Sequence, residues 1–175
     1  GNMNYNYGEA AMGYNESSKS DLSQGVYDRR GWQQPNLVTY MESHDEERLT
    51  YKCLQYGKTE GSYSTSQLNT SLDRMELNSL FLIPLPGPKM IWQFGERGYD
   101  ISIDNGGRLS EKPPHWEYLD DKKRTDLFRV VAKLNFLKQN YDEFTPDAIS
   151  YDLAGELKWF RMNKGTNHVL IIGNF

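Results

Sequence analysis

Ser43, His44, Asp45 and Glu46 stand together just past an apolar, β-prone run, Leu37-Val38-Thr39-Tyr40-Met41, with Glu42 between. A hydroxyl, an imidazole and two carboxylates in so short a stretch can bind polar groups, and the acids can stabilise developing positive charge. Side chains at the end of a buried strand are held rigidly while their tips face a cleft, which is where barrel enzymes keep their chemistry. Further candidates follow about one strand–helix unit later: Glu96, Arg97 and Asp100, after the apolar run of residues 89–94. From residue types alone, Asp45 equally suits a helix cap or a surface acid. Glu96, Arg97 and Asp100 equally suit a structural ion pair.

The elements that must position these groups follow from the spacing of apolar residues. Residues 1–16, rich in Asn, Tyr, Gly and Met, read as a strand end plus loop. Ser20 or Asp21 caps a short helix expected to run to Arg30, with Leu22 and Val26 at i, i+4. Leu68, Leu72, Met75, Leu80 and Ile83 recur at helical spacing, so the pattern predicts an amphipathic helix over 65–83, ended by Pro84, Pro86 and Pro88. Residues 89–94 then read as a short parallel strand covered on both faces. Residues 95–116 form a long connection, which in a compact domain is usually functional. A second helix is capped by Asp120 or Asp121 and lined by Leu127, Val130, Val131, Leu134 and Leu137, with Lys138 suited to the dipole at its C-terminal end. Residues 156–162 and 168–172 predict a β-hairpin.

Composition narrows the field. The net charge is −4 over 175 residues with interspersed signs, which disfavours nucleic-acid binding. No apolar run approaches the roughly 18 residues of a membrane span. Cys53 stands alone, so no internal disulfide forms. His44, His115 and His168 lack zinc spacing, and Asp100, Asp104 and Asn105 do not follow an EF-hand pattern, so no metal or other cofactor is expected. Both ends read as cut: Gly1 as an expression scar, Phe175 at the close of an apolar strand.

Two blocks carry a resemblance. Glu42-Ser43-His44-Asp45 resembles the fourth signature region of the α-amylase family, glycoside hydrolase family 13, where the seventh barrel strand ends in Asn-His-Asp or Ser-His-Asp. Leu85-Pro86-Gly87-Pro88, followed by Gly95-Glu96, is similar to the family's Pro-Gly-x-Pro lead into the eighth strand and the Gly-Glu after it. Their order and separation match the family's as well. The resemblance implies an α/β fold in which residues 1–140 form the last part of a (β/α)8 TIM barrel. Residues 141–175 would then begin a C-terminal β-domain, a hairpin or partial β-sandwich. Such a barrel takes about 250 residues, so the chain is expected to be a fragment.

The resemblance also implies the chemistry. Retaining glycosidases use two carboxyl groups about 5 to 5.5 Å apart around an oxocarbenium-like transition state. In the family a third carboxylate, at the position of Asp45, binds the sugar at the cleavage subsite and stabilises that transition state. His44 would donate to the same sugar's hydroxyls without transferring a proton. The nucleophile and general acid come from earlier strands, so the fragment alone should be inactive. Glu96 is a candidate substrate contact, and Tyr99 and Trp116 are candidate stacking platforms, Trp116, in a Pro-rich loop, the better of the two; Trp92 reads as core. Arg48 could neutralise the acidic cleft, and Glu42 could face either the barrel interior or a helix. The implied partner is an α-glucan polysaccharide or oligosaccharide, met by a secreted or envelope-associated parent in which calcium is possible. The parent could instead be a 1,4-α-glucan branching enzyme or a non-catalytic carbohydrate-binding protein. Open sheet edges predict self-association of the isolated chain.

Overall fold

The computed structural model describes all 175 residues. Three extended segments run parallel near its centre, tied at Asn2–Tyr40 and at Thr39–Lys89. Their bonds are sparse. Met3 N–H donates to the Tyr40 carbonyl at 3.0 Å, Thr39 N–H to Pro88 at 3.2 Å, and Met90 N–H to Thr39 at 3.2 Å. The strands expected at 37–41 and 89–94 are therefore short bridged segments rather than full ladders. Pro86 and Pro88 remove two donors before Lys89, and the chain leaves the extended region at Phe94, with φ of 56°.

Helices surround these segments. Residues 1–16 depart from the expected strand end plus loop: after the Asn2 bridge the chain enters helix α1, Asn4–Met12. Met3, Tyr7, Ala10 and Ala11, at i, i+4, i+7 and i+8, are its buried stripe. Asn2 Oδ1 accepts the Asn4 N–H at 2.9 Å to open the helix, and Gly13, at φ of 92°, closes it. The expected helix to Arg30 is instead two separate 3-10 turns, Ser23–Gly25 and Asp28–Arg30, with Val26 extended between them. The break brings Gly25 against Thr39, whose hydroxyl donates to the Gly25 carbonyl at 3.0 Å.

Helix α2, Leu49–Tyr56, follows the Ser43–Glu46 turn, and a small hairpin of β1, Thr59–Glu60, and β2, Tyr63–Ser64, comes next. Helix α3 spans Leu68–Leu82, starting three residues after the predicted Thr65. The Ser and Thr residues just before it, which could serve as its N-cap, are engaged elsewhere: Thr65 donates to the Met12 carbonyl at 2.8 Å, and Ser64 pairs with Thr59 and Ser66. Residues 95–116 carry one 3-10 turn, Gly95–Arg97, and otherwise no regular structure until the next turn at Trp116–Leu119. Helix α4 is Lys122–Asn140, and its first turn is capped by Asp121, which accepts the Arg124 N–H at 3.0 Å.

The C-terminal sheet has one strand more than the predicted hairpin. Antiparallel strands β3, Ala148–Asp152, β4, Leu157–Lys164, and β5, Asn167–Asn174, lie in that order. Register places Phe160 opposite Ile171 and Met162 opposite Val169. This inner face joins Tyr7, Leu72, Phe81 and Leu127 in one core cluster of 21 buried residues. No helix is long and apolar enough to cross a membrane.

Candidate functional site

The ends of two bridged segments open onto one cavity of about 540 Å³. Ser43, His44, Asp45 and Glu46 reach it from the first, Trp92 and Gln93 from the second. Tyr99, Ile103, Arg108 and Pro114 line it from the long connection. The His44 imidazole sits 5.7 Å from the Trp92 indole, centroid to centroid, tilted by 49°. Its Nε2 is 3.4 Å from Asp45 Oδ2, and both side chains are about 70% exposed, at 71% and 69%. These two groups face open space and are free to bind something polar.

Below the exposed pair the turn is tightly built. Ser43 donates to Glu46 and receives the Asp45 N–H at 3.2 Å, a short-range pattern that fixes the turn. Arg108 donates to the Asp45 carbonyl, tying the long connection to the same turn. Glu47 accepts from the Ser102 hydroxyl at 2.8 Å and the Ile103 N–H at 2.9 Å. Glu42, whose orientation the sequence leaves open, points inward and is 2% exposed. Its Oε2 lies 3.0 Å from Arg48 Nη2, and its Oε1 accepts the Leu49 N–H at 2.8 Å, opening α2. The acids Asp45, Glu46 and Glu111 share the cavity wall with Arg48, Arg108 and Lys112, so both signs of charge line it.

The expected site residues separate in space. His44 and Asp45 meet at the cavity. Trp92, read as core, is half-buried and lines it beside them. Glu96 faces a small separate recess with Met41, Leu82 and Ile91. Trp116 is 67% exposed and packs edge-on against Phe94 at 5.1 Å; the cavity wall stops short of it, at Pro114. Asp100 is engaged in an ion pair with Arg124 at 2.6 Å. Tyr99, a stacking candidate from the sequence, stands in this wall five residues past the segment end at Phe94. No three His, Cys, Asp or Glu side chains converge in a geometry suited to a metal ion.

No protein-family model matches the chain. No curated protein matches it either. Among solved structures it is similar to a cyclomaltodextrinase, with a TM-score of 0.65 and 18% identity over 97% of this chain. It is similar to the type III pullulan hydrolase from Thermococcus kodakarensis, at 0.55 and 24% over 78% of the chain. A debranching enzyme from Nostoc punctiforme, soaked with acarbose, matches at 0.57 and 18% over 98%. The chain spans 27%, 23% and 36% of those chains. The mixed helix–strand fold is thus similar to a part of each of these enzymes, and this likeness of fold agrees with the α-amylase-family resemblance carried by the two sequence blocks.

Proposed function

We propose that this chain is part of a retaining α-glucan-active glycoside hydrolase of the α-amylase type, acting on α-1,4-glucosidic bonds. One observation carries the reading: His44, Asp45 and Trp92 converge on a single open cavity at the ends of parallel-bridged segments. That is where an α/β barrel presents its chemistry. In this reading residues 1–140 complete a barrel and 141–175 begin a β-domain.

Asp45 stabilises the oxocarbenium-like transition state through charge, from a position fixed by its backbone bonds. His44 donates to a sugar hydroxyl, and Trp92 offers an apolar face to a pyranose ring. Glu96 and Trp116 extend the substrate path outside the cavity. The nucleophile and general acid belong to the parent's earlier strands, so the chain alone is inactive, and its unpaired segment edges favour self-association. Polymeric glucan is met mostly outside the cytoplasm, which puts the parent at the envelope or in the medium. Transfer to a sugar hydroxyl, as in a branching enzyme, would use the same residues with a different acceptor.

The test is Asp45→Asn in the parent enzyme. Turnover on maltooligosaccharides should fall on the order of 10²- to 10³-fold, as for loss of one preorganised transition-state contact, with the melting temperature unchanged. Near-normal turnover would remove the assignment. Analysis of products against a branched acceptor separates hydrolysis from transfer.

A further inference from the structure

We infer that the buried Glu42–Arg48 ion pair is a brace that fixes the His44–Asp45 turn against the Trp92–Gln93 turn, making both residues positioning residues of the sugar cleft. The inference deepens the function proposed above and rests on it. The two turns share few backbone bonds, because the bridged segments pair only through Thr39, Pro88 and Met90 near their beginnings. Something else must hold their tips in register.

Arg48 is the group that spans them. From one nitrogen, Nη2, it reaches Glu42 Oε2 at 3.0 Å on the first segment and the Gln93 carbonyl at 2.6 Å on the second. Its guanidinium lies 4.6 Å from the Tyr99 ring centroid, so the plane is clamped from a third side. Glu42 completes the tie by accepting the Leu49 N–H, which anchors the other end of the Ser43–Arg48 turn. The surroundings leave room for this arrangement and little else: a Cβ at Gly95 would stand 2.7 Å from Glu42 Oε2.

The pair is not there for stability alone. Burying two charges costs desolvation that their attraction barely offsets, and a well-packed apolar pair often serves a fold as well. Arg48 Nε, moreover, is buried with no partner. A group kept in place despite an unmade hydrogen bond is accounted for by the geometry it imposes. Here that geometry is the His44–Trp92 contact at the cavity mouth.

The three histidines provide the readout, since His44 lies at the cavity, His115 stacks on Tyr118 and His168 sits at the β4–β5 turn. Histidine-selective NMR of the whole chain should show a nuclear Overhauser contact between His44 and the Trp92 indole. In Arg48→Gln that contact should be lost and the His44 resonance should move, while His168 stays in place. A folded Arg48→Gln chain that keeps the contact overturns the inference. If Arg48→Gln does not fold, Gly95→Ala decides: it keeps both charges but crowds Glu42, and should cause the same selective loss. Loss of all three histidine signals in both variants assigns the pair to core stability and also overturns the inference. Maltohexaose titrated into the same samples separates the two readings. A wild-type contact without sugar response retires the sugar site and leaves the brace standing. A sugar response unchanged in a variant lacking the contact retires the brace's role in the cleft.

Discussion

The ammonium groups of Lys89 and Lys138 converge on one carbonyl oxygen, that of Gly87, at 2.9 and 2.7 Å. Lys138 also reaches the Ile83 and Leu85 carbonyls at 2.8 and 2.6 Å, and Lys89 the Pro86 carbonyl at 3.0 Å. Lys138 was expected to serve the dipole of its own helix; instead it satisfies the carbonyls that α3 and the proline turn leave open. Burial, and for Lys89 the neighbouring charge of Lys138 as well, lowers both groups: Lys89 to about 6 and Lys138 to about 8.

A pH dependence follows from that depression. In the unfolded chain both lysines titrate near 10.4, so between about pH 6 and 10 the unfolded state binds more protons than the folded one, and stability rises with pH. Above about pH 8.5 the gain is opposed, because burial pushes the Cys53 thiol up to about 11 and an unfolded thiol ionises first. Urea denaturation should therefore show stability increasing from pH 6 to 8.5, at no more than about 1.4 kcal/mol per pH unit for each proton. Lys89→Met should flatten the rise. A profile already flat in the wild type would contradict the burial of charge at this turn.

Phe81 ties the helices to the C-terminal sheet. Its ring meets Phe160 edge-on at 5.6 Å and Phe175 at 5.0 Å, and a Cβ at Gly173 would stand 2.5 Å from its Cε2 atom. Phe81→Ala should cost about 3–5 kcal/mol through lost burial and the cavity left behind. Because one core spans both parts, circular dichroism and tryptophan fluorescence should lose signal in a single, shifted transition. Two separated transitions would show that residues 141–175 fold independently.

The Asp121 carboxylate satisfies an otherwise open N–H at the start of α4. Asp121→Ala should destabilise the chain by about 1 kcal/mol. Asp121→Asn should restore most of that loss, since it keeps the acceptor oxygen. Equal losses in both variants, measured by denaturant titration, would point to charge at the helix end rather than capping.

Much of this was legible in the sequence where the physics is local. The stripe from Leu127 to Leu137 and the Asp121 cap both lie within one helix, and the structure keeps them there. The Leu68–Ile83 periodicity placed α3 to within a few residues, missing only because Thr65 bonds to a distant carbonyl instead of capping. Helix α1 was hidden by its Asn, Tyr and Gly letters, although Met3, Tyr7, Ala10 and Ala11 have helical spacing. Strand β3 pairs with β4 through the short loop of residues 153–156, a local hairpin whose Gly155 is its turn signal, but the alternating, mostly exposed residues of β3 gave no apolar run to mark it.

The site was legible in its types more than its neighbours. The Ser43-His44-Asp45 triplet pointed to the cavity, but Trp92 read as core because strand position alone does not say which face is open. Glu42 and Arg48 are six residues apart, and their pairing exists only because the turn between them folds back. Glu96 follows the same segment end as Trp92, yet the left-handed turn at Phe94 carries it into another recess.

The sugar site is tested most directly by titrating maltohexaose into the chain while recording the His44 and Trp92 resonances. The account predicts saturable shifts at both rings, weakened by Asp45→Asn and abolished by Trp92→Ala, with the fold intact in each case. Shifts that appear only at residues remote from this cavity, or none at millimolar sugar, would contradict it.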